Sequence, residues 1–507
     1  MKKYILLATS ILGIVSLQAQ NIYDALRYSQ NGIYGDARYT AMSGAFGALG
    51  GSLSAMHDNP ASSAVFLNNK MDVSLLIGAN KTEGNFKDFA TSKNYTDVQI
   101  ANAGINLVYD NWDESSVWDK FTIGANYKLD NAFGMNAIIQ GINNYSLADY
   151  FAEVAHGVEL DLLNLRSNES YSDLYTYLGE NYGSNVQTAF LGYQAYLIDA
   201  TDPENIHNIE YYPNVNGKHF DQRNTIQERG YQGTFSFNLG AQLIENLYLG
   251  LNLNSHIIDF EQTQVFEEIP EDNSGGIRYA AFAENLRTYG SGFSAQVGAI
   301  YRLENGMRFG LSYSSPKWTK IEEETRQSIE SEYYDNDSNN WRNLSIRPNV
   351  VNYYEEYTIR TPSKIGASFA YVFGQQGLLS LQYEYTNNAN IRFKPRSNDY
   401  FGEQNDILND ALQASSSLRL GGEYNVAFVS FRGGLHYKQS PYKDSNIMSD
   451  TKGYSLGLGF NFIGFNIDVA YLQSSQDTKN LMLPTHNNMY SIDKIQRNFI
   501  VSLGVDL

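Results

Sequence analysis

The sequence predicts an all-β fold: a transmembrane antiparallel β-barrel of about 14 strands, with an N-terminal helical plug in its lumen and long outer loops carrying some helix. Three observations predict it. Apolar and polar residues alternate with period two from Met71 to Leu507. The connections between these segments alternate between very short and very long. A small-residue stretch, Ala41 to Phe66, precedes the first such segment and resembles none of them.

The alternation is regular. Met71, Val73, Leu75 and Ile77 interleave with Asp72, Ser74 and Gly78, and Ala103, Ile105, Leu107 and Tyr109 with Gly104 and Asn106. Tyr231, Phe235, Phe237 and Leu239 interleave with Gln232, Thr234, Ser236 and Asn238; Phe499, Val501, Leu503 and Val505 close the series. Period two gives each strand one apolar and one polar face. Each segment runs for about ten residues, enough for a tilted strand to cross a bilayer. A soluble sandwich would vary its wet face with Lys and Glu; here that face is Asn, Gln, Gly and Ser.

The short connections are Glu245-Asn246, Glu304 to Gly306, Gly374 to Gly377, Asn425-Val426 and Ile463-Gly464. The long ones run from Asn144 to Glu228, Glu267 to Leu286, Arg326 to Asn352, Pro395 to Ala414, Gln439 to Lys452 and Ser474 to Arg497. Short turns on one side and long loops on the other are the layout of an outer-membrane barrel. Closure is required, because lipid offers nothing to an open strand edge.

Composition agrees. The 507 residues include 42 Gly, 39 Tyr and 26 Phe but only 10 Pro. Aromatics suit pleated surfaces and interfacial girdles. The mean hydropathy of −0.39 fits a barrel in which every second strand residue faces lipid. Residues 1–19 read as a signal peptide: Lys2 and Lys3, an apolar run from Ile5 to Val15, then Ala19 at the cleavage point. Residues 20–69 form the plug and 70–507 the barrel. There is no cysteine, so thiolate metal sites, disulfides and Cys nucleophiles are excluded. The net charge of −19 argues against nucleic acid as a partner.

One strand needs a decision. Asp130-Asn131 looks like a hairpin turn, but a turn there would give an odd strand count and place Leu507 on the outer side. The apolar phase also continues through Phe121, Ile123, Tyr127, Leu129, Phe133 and Met135. The segment is therefore read as one long strand, third in order, that falters at Asp130, Asn131 and Gly134, either at a bulge or bend or because the strand simply extends beyond the membrane.

In the plug, Gly44, Gly47, Gly50 and Gly51 recur near a spacing of three, followed by Asn59, Pro60 and Ala61. A dinucleotide loop needs a strand before its glycines, and none is present. Small residues packing short helices in a confined lumen explain them better. Ile22 to Tyr28 is weakly helical. In the longest loop, Ala148 to Leu165 and Tyr171 to Ile198 carry apolar residues at helical spacing.

With these pieces in hand the chain resembles the FadL/TodX-type outer-membrane transporters of long-chain fatty acids and aromatic hydrocarbons, in their Bacteroidetes-like subgroup. The resemblance rests on Gly44 to Gly47 through Asn59-Pro60-Ala61, on Gly310 to Pro316, Thr361 to Gly366 and Arg432 to Pro441, and on Asp468 to Tyr471. It covers essentially the whole mature chain. It implies a 14-stranded barrel with an N-terminal hatch, uptake of apolar ligands without ATP or TonB, and a kinked third strand that opens sideways into the membrane. The terminal Leu507, in place of Phe, and the long loop from Asn144 depart from the pattern.

Chemistry is sparse. The seven His residues form no metal spacing, and no Ser/His/Asp grouping emerges from the strand assignments. A lumen-facing His256 or His436 is the nearest approach to a hydrolase. Asp335, Asp337 and Asn339 lack the Gly and bidentate Glu of a calcium loop. Lys128, Arg302, Arg308, Lys364, Arg419, Arg432 and Lys438 face inward, and Arg419 and Arg432 are the candidates to hold a carboxylate ligand. Pairing with Glu423, Glu384 or Asp468 is the competing reading, because buried charges need partners. The expectation is a monomeric, non-enzymatic uptake channel of the outer membrane, without metal or cofactor, touching lipid outside and fatty acid, hydrocarbon or detergent-like ligands inside. A polar porin, or a surface haem or adhesion receptor on the same barrel, is the alternative.

Overall fold

A computed structural model of the chain describes residues 22–113, 116–272, 275–484 and 486–507. The expected leader, residues 1–19, lies outside them.

The strands are β1 Lys70–Phe86, β2 Phe89–Asp110, β3 in two pieces (Trp118–Ala132 and Met135–Asn143), β4 Phe220–Leu243, β5 Leu247–Pro270, β6 Ile277–Arg302 and β7 Met307–Ser314, continued by Trp318–Asp335. Then come β8 (Tyr357–Arg360 and Lys364–Val372), β9 Gly377–Asn387, β10 Ala414–Val426, β11 Val429–Lys438, β12 Thr451–Phe462, β13 Phe465–Leu483 and β14 His486–Asp506. Each pairs antiparallel with the next. β14 returns to β1 from Lys70↔Asp506 to Asn85↔Ser491, which closes a 14-strand barrel. Closure lets the ladders satisfy the backbone in hydrocarbon.

The period-two reading holds through the lower wall. Met71, Val73, Leu75 and Ile77 are exposed, whereas Asp72, Ser74 and Asn80 are buried. The tight turns fall where expected, except that the β10–β11 turn is at Ala427-Phe428, just beyond Val426.

The expected long loops are a correction. Much of 267–286, 326–352 and 474–497 is strand: β5 and β6 have 24 and 26 residues. The physical reason is an inversion of phase. Low in β5, Leu251 and Leu253 are exposed; higher up, Ile258, Phe260 and Phe266 are buried. The strand leaves the lipid, its outer face turns polar, and its inner face turns apolar.

That apolar upper lumen is covered by helices. We label α1 Ile22–Ser29, α2 Ala37–Ala41, α3 Leu147–Ala155, α4 Leu160–Leu163, α5 Tyr171–Tyr182, α6 Ser184–Gln194 and α7 Asp399–Ala411. The two helical patches expected in the long loop are each broken once. Gly157 (φ 87°) and Gly183 (φ 90°) take the left-handed region that other residues avoid. α3 begins in a capping box of Ser146 and Asp149. Glu268 of β5 also accepts from the Leu147 amide at 2.7 Å and the Ser146 hydroxyl at 2.5 Å, fastening the cap to the wall. Leu147, Phe151 and Phe190 pack with Phe266 and Phe282 in one buried cluster.

The N-terminal segment starts high and ends low. α1 sits among aromatic rings, with Tyr28 edge-on to Phe133 and Phe260 at 6.2 Å. The chain then descends the lumen to Phe66, whose carbonyl accepts from Lys120 near the tight-turn end at 2.6 Å.

Candidate functional site: a seated hatch, a cavity above it and a broken wall

Residues 30–66 fill the polar lower lumen. Gly50 and Gly51 (φ 67° and 74°) fold the chain back on itself. Gly44 lies under Tyr39, and Gly47 lies against Ser368 and Gln382 of the wall. Asn59 is the fulcrum. Its amide donates to the Gly47 carbonyl at 2.7 Å and the Ala299 carbonyl at 3.1 Å. Its oxygen accepts from the Ala61 amide, capping the turn that starts at Pro60.

The wall holds the hatch by its backbone. Asn126, Asn252 and Asn238 donate to the carbonyls of Leu53, Met56 and Pro60 at 2.8, 2.7 and 3.0 Å. Gln296 and Arg308 reach those of His57 and Leu49 at 2.9 and 2.7 Å. Wall glycines make the approach possible. A Cβ at Gly250 would strike the Pro60 backbone, at Gly298 the Asn59 side chain, and at Gly310 the Gly47 carbonyl. The sequence presents these Asn, Gln and Gly residues as an ordinary polar lumen; their role appears only when the hatch lies against them. His57 stays neutral there, its pKa pushed down to about 3 by burial and then by Lys128.

Above the hatch is a cavity of about 480 Å³. Met135, Leu147, Ile226, Phe266 and Phe282 contribute an apolar lining; the charged lining holds both signs, with Arg27, Arg419, Lys438 and Lys494 beside Asp24, Glu228 and Glu284.

The two cations singled out from sequence are correctly lumen-facing but already engaged. Arg419 sits 3.4 Å from the Asp58 carboxylate and 3.4 Å from the Tyr39 hydroxyl. Arg432 is locked between Glu423 at 2.6 Å and Asp468, and Arg38 of the hatch binds Glu423 as well at 2.8 Å. Pairing, the competing reading of the sequence, is what the structure holds: desolvated charges in a packed lumen pair with one another, although Arg419 still lines the cavity. Lys364 pairs with Glu384 at 3.7 Å. Lys438 is different. It lines the cavity and makes no hydrogen bond or ion pair with the described residues. Asp335, considered for calcium, pairs with Arg342 at 2.6 Å.

The third strand does break at the residues that disturb its sequence. β2 and β3 pair only as far as Asn102↔Lys128. The second piece of β3 pairs with β4 and passes behind β1. Asn80, on the lumen side of β1, donates to the Gly134 carbonyl at 2.7 Å; Thr82 bonds the Asn136 carbonyl; and Lys87 reaches Ile142 at 2.6 Å. Residues 89–101 of β2 are left with β1 as their ladder partner among the described residues. Asp130 anchors the bend: its carboxylate accepts from Thr234 at 2.6 Å and Lys317 at 3.1 Å, and its carbonyl from the Gly32 amide at 2.9 Å. Asn131 lines the cavity.

The fold also assembles a grouping that sequence did not reveal. His256 bonds Ser294 and Thr234 at 2.8 Å each, with Asp130 4.0 Å from its Nδ1. All four are buried, and Ser294 borders neither the cavity above the hatch nor the polar one of about 270 Å³ beside Arg432. The grouping ties β3, β4, β5 and β6 together around the bend.

Together these features define a class: a transmembrane barrel of 14 strands whose lumen is filled by its own N-terminal hatch. Solved structures of this class resemble the chain over nearly its whole length. A FadL homologue from Pseudomonas aeruginosa is 10% identical, with a TM-score of 0.55 over 94% of this chain and 99% of that one. The toluene transporter TodX of Pseudomonas putida is 11% identical, with a TM-score of 0.52 over 94% and 99%. At such identities the likeness is one of fold. No protein-family profile and no curated protein sequence matches the chain.

Proposed function

We propose that this protein is a passive outer-membrane conduit, not an enzyme, for hydrophobic molecules, with amphipathic anions such as long-chain fatty acids as its cargo. It acts as a monomer in a Gram-negative, Bacteroidetes-like cell. The cavity carries the proposal: it combines apolar side chains with Lys438, which makes no hydrogen bond or ion pair with the described residues, directly above a seated hatch. Ligand pockets combine an apolar lining with a few placed polar groups in this way. The fold shared with a FadL homologue and a toluene transporter supports the same reading.

The hatch bears on the route. So many wall contacts hold its backbone that it stays in place while cargo passes, and cargo leaves sideways at the break in β3. A polar porin would need the lumen that residues 30–66 occupy.

Two measurements test this. Cells expressing the protein should take up radiolabelled fatty acid faster than cells without it; equal uptake sinks the reading. In detergent, Lys438→Met should weaken fatty-acid binding by about tenfold, the loss of one charged hydrogen bond, and leave a neutral hydrocarbon unaffected. Equal weakening of both ligands removes Lys438 as the anchor. For the hatch, Ser43 and Ser455 stand 2.8 Å apart across the hatch–wall contact. The double variant S43C/S455C, oxidised, should retain uptake; loss restored by reductant would mean that the hatch must move.

A further inference from the structure

The break in the wall is covered at Gly134. Tyr95 lies on the part of β2 that has β1 as its ladder partner but no pairing to β3, and its ring rests on Gly134, where even a Cβ would collide with it. Asn131 and Met135, on either side of Gly134, line the cavity. The ring thus stands between the cavity wall and the outside. Its neighbours along β2 place it in height. Val98 and Ile100 are 65% and 51% exposed and belong to the apolar belt, while Thr96 and Asn94 beyond them are polar. The covered gap therefore lies at the outer rim of the belt.

The two sides of the gap differ in how firmly they are held. On the β3 side, Asn80, Thr82 and Asp130 fix the backbone through the bonds described above. On the β2 side, the Tyr95 hydroxyl forms no hydrogen bond with the described residues, and the strand has a ladder on one side alone. A ring held by contact and not by hydrogen bonds swings at little cost, whereas the β3 backbone does not. A glycine opposite a large flat ring is also a size filter, since the width of the opening equals what the ring vacates.

We infer that Tyr95 is the door of the lateral exit and sets the width of cargo that passes. This rests on the conduit reading and adds to it the residue that selects by shape. Tyr95 touches the path of the cargo, not the anchoring group, so it should govern passage and leave binding alone.

The test uses two probes, dodecanoate and a dodecanoate bearing a terminal pyrene. Uptake by cells and affinity in detergent are measured for the full-length protein, Y95A and Y95F. Heat-dependent gel migration confirms that each barrel is folded. Y95A should raise uptake of the pyrene probe relative to dodecanoate by about tenfold, the lower range of what one misfitting group costs at an apolar site. Affinities should stay unchanged, and Y95F should match the parent. A parallel change in both probes, or an affinity change that accounts for the uptake change, overturns the inference. If the parent protein binds both probes but imports neither above barrel-free cells, the conduit reading has failed, an outcome distinct from a parent that imports normally and a Y95A variant that does not discriminate.

Discussion

Valine at both Gly250 and Gly298 should unseat the hatch and turn a silent barrel into an ion-conducting one. The Cβ at Gly250 would occupy the Pro60 backbone, and that at Gly298 the Asn59 amide. The first obstacle is backbone, and the second is a side-chain amide tethered by hydrogen bonds to Gly47, Ala299 and Ala61. Overpacking of this kind costs about 1–3 kcal/mol per site. Loss of Asn59 from its place adds the two carbonyl bonds it makes to Gly47 and Ala299. The outer wall is untouched, because both glycines point inward, so the barrel should still insert. Planar-bilayer recording reads the outcome: little steady current in the parent, sustained conductance in the double variant. A double variant as silent as the parent would show that the hatch does not depend on these two contacts.

The second large effect is expected at Arg432. Its side chain is 3% exposed, and its partners Glu423 and Asp468 are 5% and 4% exposed. Arg432→Met keeps the volume and strands two carboxylates, of which Glu423 retains Arg38. Breaking a buried pair from one side costs about 3–5 kcal/mol, mostly for the charge left behind. The temperature at which the folded gel band converts to the unfolded one should fall clearly. Adding Asp468→Asn should recover part of the loss, since it removes the orphaned charge; no recovery would mean that Arg432 acts through packing alone.

How much of this was readable in advance follows from what sets a strand's pattern. In the lower wall, lipid on one side and the hatch on the other fix a single phase, so Met71 to Ile77 and Phe499 to Val505 declare their faces. The bend in β3 was legible because Asp130, Asn131 and Gly134 interrupt an otherwise regular strand. The upper wall was not. From Leu253 to Phe260 in β5 the apolar residues change faces, and a reading that follows one phase takes the continuation for loop. The same inversion concealed the cavity, since its apolar lining comes from strand ends that look like connections. Arg419 and Arg432 were placed on the correct face, and Glu423 and Asp468 were among the partners weighed for them, but Asp58 was not, because it comes from the distant hatch and pairing depends on three-dimensional register. Lys438 differs from them in making no hydrogen bond or close ion pair among the described residues, which no pattern along the chain reveals.

The length of β5 has a consequence for where cargo is first met. Its 24 residues span about 80 Å of extended chain, or about 60 Å in height at the usual barrel tilt. The greasy band needs only about 25 Å of that. The mouth therefore stands on the order of 30 Å beyond the apolar band, and still about 15–20 Å beyond the headgroups. For the conduit proposed above, that elevation would let a poorly soluble molecule enter from the surrounding water and descend inside the barrel to the level of the bilayer without crossing the headgroup layer.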